Sequence, residues 1–122
     1  MNEKKKTLVI GASDNPSRYS YLAIKKLQNH RHPIVAIGKR KCEIDDIIIY
    51  STLQPFENID TVTLYLNPNH QKEYYDYILS LKPKRIIFNP GTENTELFEL
   101  ATQNNILAIE ACTLVLLSTH QY

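Results

Sequence analysis

The sequence predicts an α/β fold: a Rossmann-like, doubly wound, mainly parallel five-stranded sheet with helices on both faces. Three observations predict it. Short runs that are apolar throughout recur along the chain, as expected of strands buried on both faces. Amphipathic stretches with helical spacing separate these runs. No repeat, low-complexity tract or linker interrupts the alternation, so residues 1–122 read as one domain.

Thr7-Leu8-Val9-Ile10 reads as the first strand and stops at Gly11. Ser17 to about Asn29 reads as a helix, with Ala23, Ile24 and Leu27 on one face and Lys25, Lys26 and Gln28 off it. Pro33 punctuates, and Ile34-Val35-Ala36-Ile37 reads as the second strand. Cys42 to Leu53 is ambiguous. Asp46-Ile47-Ile48-Ile49-Tyr50 fits a short strand or an irregular segment where a crossover helix would usually sit. The stretch 59–66 contains the third main strand. Asn67-Pro68 then supplies a helix start, an N-cap residue type followed by proline at the first helical position. Tyr74, Tyr77, Ile78 and Leu81 follow at i, i+3, i+4, i+7, and Pro83 closes the helix. Arg85-Ile86-Ile87-Phe88 is the fourth strand and Asn89-Pro90-Gly91 a turn. A helix follows with Leu97, Leu100 and Ala101 inward. Ile106-Leu107-Ala108-Ile109 is the last strand, and 113–118 a short helix. Right-handed crossovers between such strands wind the sheet in both directions.

Composition bounds the function. Apolar residues make up 43% and charged residues 22%, an ordinary globular balance that argues against general disorder. A formal net charge of +1 gives no global case for nucleic-acid or membrane binding. The basic start, Lys4-Lys5-Lys6, precedes an apolar stretch too short for a signal peptide, and no run approaches bilayer-spanning length. The expectation is a cytoplasmic protein. Cys42 and Cys112 form no CxxC and read as ordinary thiols.

In this fold ligands sit outside the carboxyl ends of the strands, so the strand-end loops carry the function. Gly11 permits a tight turn, and the amides of Ala12, Ser13 and the following helix start can face an anion. Ser13, Ser17 and Ser20 add hydroxyls, and Arg18 adds a phosphate-binding fork. A plain strand-to-helix turn would also use one glycine. After the second strand comes Gly38-Lys39-Arg40-Lys41. An NAD site places an acidic residue there to accept from the ribose hydroxyls. Lys39 and Arg40 instead suit a phosphorylated ribose, that of coenzyme A or of NADP. Asn67-Pro68 and Asn89-Pro90-Gly91 close the third and fourth strands, where their backbone can pass under a ligand. Capping and turn formation also account for them.

No catalytic constellation is visible. His30, His32, His70 and His120 are scattered without metal-ligand spacing. His70 reads as a surface or capping histidine before a general base, and Cys112 as a buried structural thiol before a reactive one. Tyr74, Tyr75 and Tyr77 read as core packing with an exposed or dimer-facing edge.

"VIGASDNPSRYS" at 9–20, "TVTLYLNP" at 61–68, "IIFNPGTENTEL" at 86–97 and "NILAIEACTLVLL" at 105–117 together resemble a known family. It is the small single-domain CoA-binding proteins, similar to the CoA-binding domain of the succinyl-CoA synthetase α subunit. The resemblance implies CoA held at the strand ends. Gly11, Ala12, Ser13, Arg18 and Ser20 would surround phosphates and ribose, and Lys39 and Arg40 would meet the adenosine end. Asn67 and Pro68 would line the remaining cleft, with Asn89, Pro90 and Gly91 at the far loop. The synthetase phosphorylates a histidine in a second domain, and 122 residues hold no counterpart of it. What the resemblance implies is therefore binding without ligase chemistry. The expected function is a CoA or acyl-CoA binding protein that is non-catalytic on its own. The alternatives are an NADP-linked oxidoreductase and a regulatory or scaffold subunit with a vestigial cleft. A homodimer is compatible with each.

Overall fold

The computed structural model describes residues 3–122. Seven strands form one sheet in the order β3-β4-β2-β1-β5-β6-β7. They are β1 (Thr7–Ala12), β2 (Ile34–Gly38), β3 (Cys42–Ile44), β4 (Ile47–Tyr50), β5 (Thr61–Leu64), β6 (Arg85–Phe88) and β7 (Leu107–Glu110). Every neighbouring pair is parallel except β3 with β4. The expected fold class stands, and the expected strand count of five becomes seven.

The two extra strands come from the ambiguous stretch. Cys42 pairs with Ile49 and Ile44 with Ile47, an antiparallel hairpin closed by Asp45-Asp46. Asp45 adopts a positive φ of 54°, which the two-residue hairpin turns require and aspartate tolerates. Apolar residues dominate both arms, so the alternation of an edge hairpin was hidden in an Ile-Ile-Ile run. From β4 the chain crosses to β5 through residues 51–60, which form no helix.

Two apolar cores lie on opposite faces of the sheet. On one face Val9, Ala36 and Ile49 meet Ile24, Leu27 and Leu117, contributed by α1 (Tyr19–Asn29) and α5 (Thr113–Ser118). On the other, Leu8, Ile10, Val62, Leu64, Ile86 and Phe88 meet Ile78, Leu97 and Ala101. Those three helix residues come from α3 (Tyr75–Leu81) and α4 (Thr95–Gln103). Leu100 is only half-buried, so the inward stripe of α4 is narrower than its spacing predicts. The expected helix at 68–81 is broken. α2 (Pro68–Gln71) passes through a 3₁₀ turn at Lys72–Tyr74 into α3.

β1 is the hub. It pairs with β2 on one side and with β5 on the other. The connections that follow β1 and β5 therefore diverge to opposite sides, and a crevice opens above the carboxyl end of β1.

Candidate functional site

The floor of the crevice rests on two glycines packed against neighbouring backbone: Gly11 lines it, and Gly38 is buried opposite Ala12. β1 changes register against β2 between Ile10 and Ala12, leaving Gly11 as a bulge at φ +89°. A Cβ on Gly11 would lie 2.7 Å from the Tyr65 carbonyl oxygen, and one on Gly38 2.2 Å from the Ala12 carbonyl oxygen. Both positions exclude any side chain, for reasons of backbone packing. Gly38 thus has a structural task that its place beside the lysines did not suggest.

Loop 13–18 rises from this floor and is organised by its own polar groups. The Asn15 amide donates to Ser13 Oγ (3.0 Å), and the Ser17 amide (3.0 Å) and hydroxyl (2.8 Å) both donate to Asn15 Oδ1. Arg18 holds the N-cap position of α1 in an extended conformation, and no side chain caps the helix. No acidic residue occupies the first turn either. The first amides of α1 therefore remain donors at the positive end of an eleven-residue helix.

The crevice is a cleft of about 710 Å³, within the range of small-molecule and cofactor sites. Gly11, Ala12, Ser13, Arg18 and Ser20 line its first wall together with Asp14 and Tyr19. Lys39, Arg40 and Cys42 line the side over β2. The opposite wall consists of Tyr65, Leu66, Asn67 and His70, closed by Pro90, Gly91 and Thr92. Among the described lining residues Arg18, Lys39 and Arg40 stand against one carboxylate, Asp14, so the cleft favours an anion. Arg40 Nη2 meets Asp14 Oδ1 at 2.6 Å across the mouth. Burial pushes the Tyr65 hydroxyl far up, so it stays protonated.

Two of the residues expected at the site stand apart from the cleft surface. Pro68 is the first residue of α2 and serves the helix start, while Asn67 Oδ1 accepts from the His70 amide at 3.2 Å. Asn89 is 2% exposed. Its Nδ2 donates to Thr63 Oγ1 (2.6 Å) and the Leu64 carbonyl (2.9 Å), and its Oδ1 accepts from the Thr113 amide (2.9 Å). One side chain thereby ties β5, β6 and the start of α5 together beneath the site.

A second buried amide pair supports the far wall. Gln71 Nε2 donates to the carbonyls of Leu66 and Thr92, both at 2.8 Å. Asn94 Nδ2 donates to Gln71 Oε1 (2.9 Å) and to the Tyr75 hydroxyl (2.8 Å). Asn94 Oδ1 also caps α4. Sequence reading did not find Gln71 or Thr92, because a glutamine or threonine in a polar stretch carries no mark of burial. Tyr19, Cys42, Tyr65 and Leu66 were missed at the cleft for the complementary reason. A strand-end tyrosine or cysteine reads as packing until the loops around it are placed.

Cys112 occupies the N-cap position of α5, and Glu110 ends β7; neither lines the cleft. Among the described residues no group of three or more His, Cys, Asp or Glu is placed to hold a metal ion, and no helix is long and apolar enough to cross a membrane.

Comparison with known proteins gives the geometry its context. The family model of the CoA binding domain matches residues 5–118. No curated protein matches. An uncharacterized protein of known crystal structure is 48% identical, with a TM-score of 0.96 over 99% of this chain and 100% of that one. A Thermus thermophilus protein, cell-free ID.343, superposes with a TM-score of 0.85 at 16% identity, over 98% of this chain and 91% of that one. A dinucleotide-forming acetyl-coenzyme A synthetase 1 of Ca. Korarchaeum cryptofilum has a TM-score of 0.69 at 17% identity, over 88% of this chain and 25% of that one. The last two likenesses concern the fold alone. The family match covers nearly the whole chain, and the chain belongs to the CoA-binding domain family.

Proposed function

We propose that this member of the CoA-binding domain family binds coenzyme A or an acyl-CoA in the cleft above β1, as a module without chemistry of its own. The observation that carries the reading is the joining of two anion-seeking surfaces in one cleft. The uncapped amino end of α1 with Arg18 forms one, and Lys39 with Arg40 forms the other. The pyrophosphate would lie on the amides of loop 11–20, Ser13 and Ser20 beside it. The 3′-phosphate would lie by Lys39 and Arg40. The pantetheine would run toward Asn67 and the Pro90-Gly91 turn, over Leu66. The residues fit such a ligand. The cleft carries three cations for a ligand of several negative charges, and the first amides of α1 are uncapped donors.

Calorimetric titration with CoA, dephospho-CoA and NADPH tests the reading. CoA binding that weakens about tenfold or more without the 3′-phosphate is expected, since a charge-assisted hydrogen bond contributes about 1.5–3 kcal/mol. NADPH binding tighter than CoA would transfer the cleft to the phosphorylated nicotinamide nucleotide. Binding by none of the three would leave a scaffold or regulatory role.

A further inference from the structure

The ion pair across the cleft mouth has a place in ligand selection. Arg40 is one of two cations assigned to the ligand's ribose phosphate, yet its Nη2 is engaged by Asp14 Oδ1 at 2.6 Å. The two residues come from different walls: Asp14 from the loop after β1, Arg40 from the loop after β2. Both line the cleft. Asp14 is the single carboxylate among the described lining residues, set beside the uncapped start of α1. The guanidinium is 70% exposed and Asp14 34% exposed, so the pair lies in reach of an incoming ligand and is weakly held.

We propose that Asp14 is an internal competitor for Arg40, one that lowers the cleft's affinity for a ligand phosphate at that position. The inference rests on the CoA reading above. A ribose phosphate carries more negative charge than one carboxylate and can take the guanidinium from it. The exchange returns less than an unengaged arginine would, because the Asp14 contact is lost. A ligand without that phosphate leaves the pair intact and is indifferent to Asp14. The effect falls mainly on the dissociation rate, since short-range contacts alter release more than encounter. Asp14 thereby keeps a phosphorylated ligand exchangeable.

The test compares Asp14→Asn, Asp14→Glu, Arg40→Gln and the double variant Asp14→Asn/Arg40→Gln with the parent protein. The probes are CoA and dephospho-CoA, followed by calorimetry and stopped-flow release. Asp14→Asn is expected to bind CoA about two- to fivefold tighter, the span of an exposed ion pair. The gain should appear as slower release, shrink at high salt, and be nearly absent for dephospho-CoA. Asp14→Glu should keep the parent's affinity, and the gain should vanish in the Arg40→Gln background. Unchanged or weaker CoA binding by Asp14→Asn overturns the proposal and leaves the CoA reading standing. An equal gain with and without Arg40 overturns it as well, since simple repulsion would then account for the effect. Failure of both parent and Asp14→Asn to bind CoA overturns the CoA reading and this inference together.

Discussion

The two ends of the sheet carry similar residues and use them oppositely. At the amino end, Arg85 donates through Nε to Thr61 Oγ1 (2.7 Å) and lies 4.3 Å from the ring centroid of Tyr122. The Tyr122 hydroxyl meets Thr7 Oγ1 at 2.5 Å, and its ring lies 4.8 Å from that of His32. His32 accepts the Lys5 amide at Nδ1 (2.9 Å). Cation, ring and hydroxyls are spent on one another, and one Arg85 Nη2 remains buried without a hydrogen-bond partner. At the carboxyl end the glycine floor and the Asn89 clamp are packed as tightly. The rim above them turns Arg18, Lys39 and Arg40 outward. Arg85 at the amino end is thus taken up in packing, whereas Arg18, Lys39 and Arg40 at the carboxyl end line the cleft. Each parallel strand hands the chain on at its carboxyl end, and where neighbouring strands send it to opposite sides a crevice is left.

If stability at the carboxyl end resides in its floor, Gly38→Ala should show the largest effect. The new methyl would sit 2.2 Å from the Ala12 carbonyl oxygen, and a loss of about 3 kcal/mol is expected from urea unfolding. Asn89→Ala comes next. It removes three buried hydrogen bonds and leaves the Thr113 amide unpaired, for a loss of about 2.5 kcal/mol. The rim should respond in the other observable. Lys39→Glu with Arg40→Glu is expected to weaken CoA about 30-fold and to change unfolding free energy by less than about 0.5 kcal/mol. A stability loss comparable to that of Asn89→Ala would erase the distinction between floor and rim.

The last effect sharpens the amino end. Burial, and then the positive charges of Lys4 and Lys5, hold His32 down to about 4, well below its ordinary 6.5. The unfolded chain therefore takes up a proton at this histidine below pH 6.5, and the folded chain does so only near pH 4. The stability it contributes is complete above pH 6.5, declines between 6.5 and 4, and is flat below. A loss of about 3 kcal/mol over that interval is expected. His32→Asn should flatten the slope, and CoA affinity corrected for unfolding should not follow it. An affinity that fell in step with His32 would mean that the two ends are coupled through the sheet.

Much of the carboxyl end was legible beforehand because its grammar is local. Gly11 and the Asn67-Pro68 pair signal backbone needs that arise within three or four residues. The alternation of apolar runs locates strand ends to within a residue or two. Ten of the twelve residues expected at the site line the cleft, and Pro68 and Asn89 stand off it. Asn89 could not be read correctly, since its partners Thr63, Leu64 and Thr113 lie 24 to 26 residues away. The β3–β4 hairpin was obscured because Cys42–Tyr50 shows no clean alternation to set it apart from a buried run.

By itself the sequence determined the sheet-and-helix alternation, the parallel winding and the strand-end loops that could meet a ligand. Each of these follows from periodicity and from single residues with restricted backbones. The tertiary structure alone decided that Gly38 is a packing requirement, that Asn89 is a clamp and that Asp14 engages Arg40. All three are contacts between segments distant along the chain. Such contacts depend on strand register and loop direction, which local propensity does not encode.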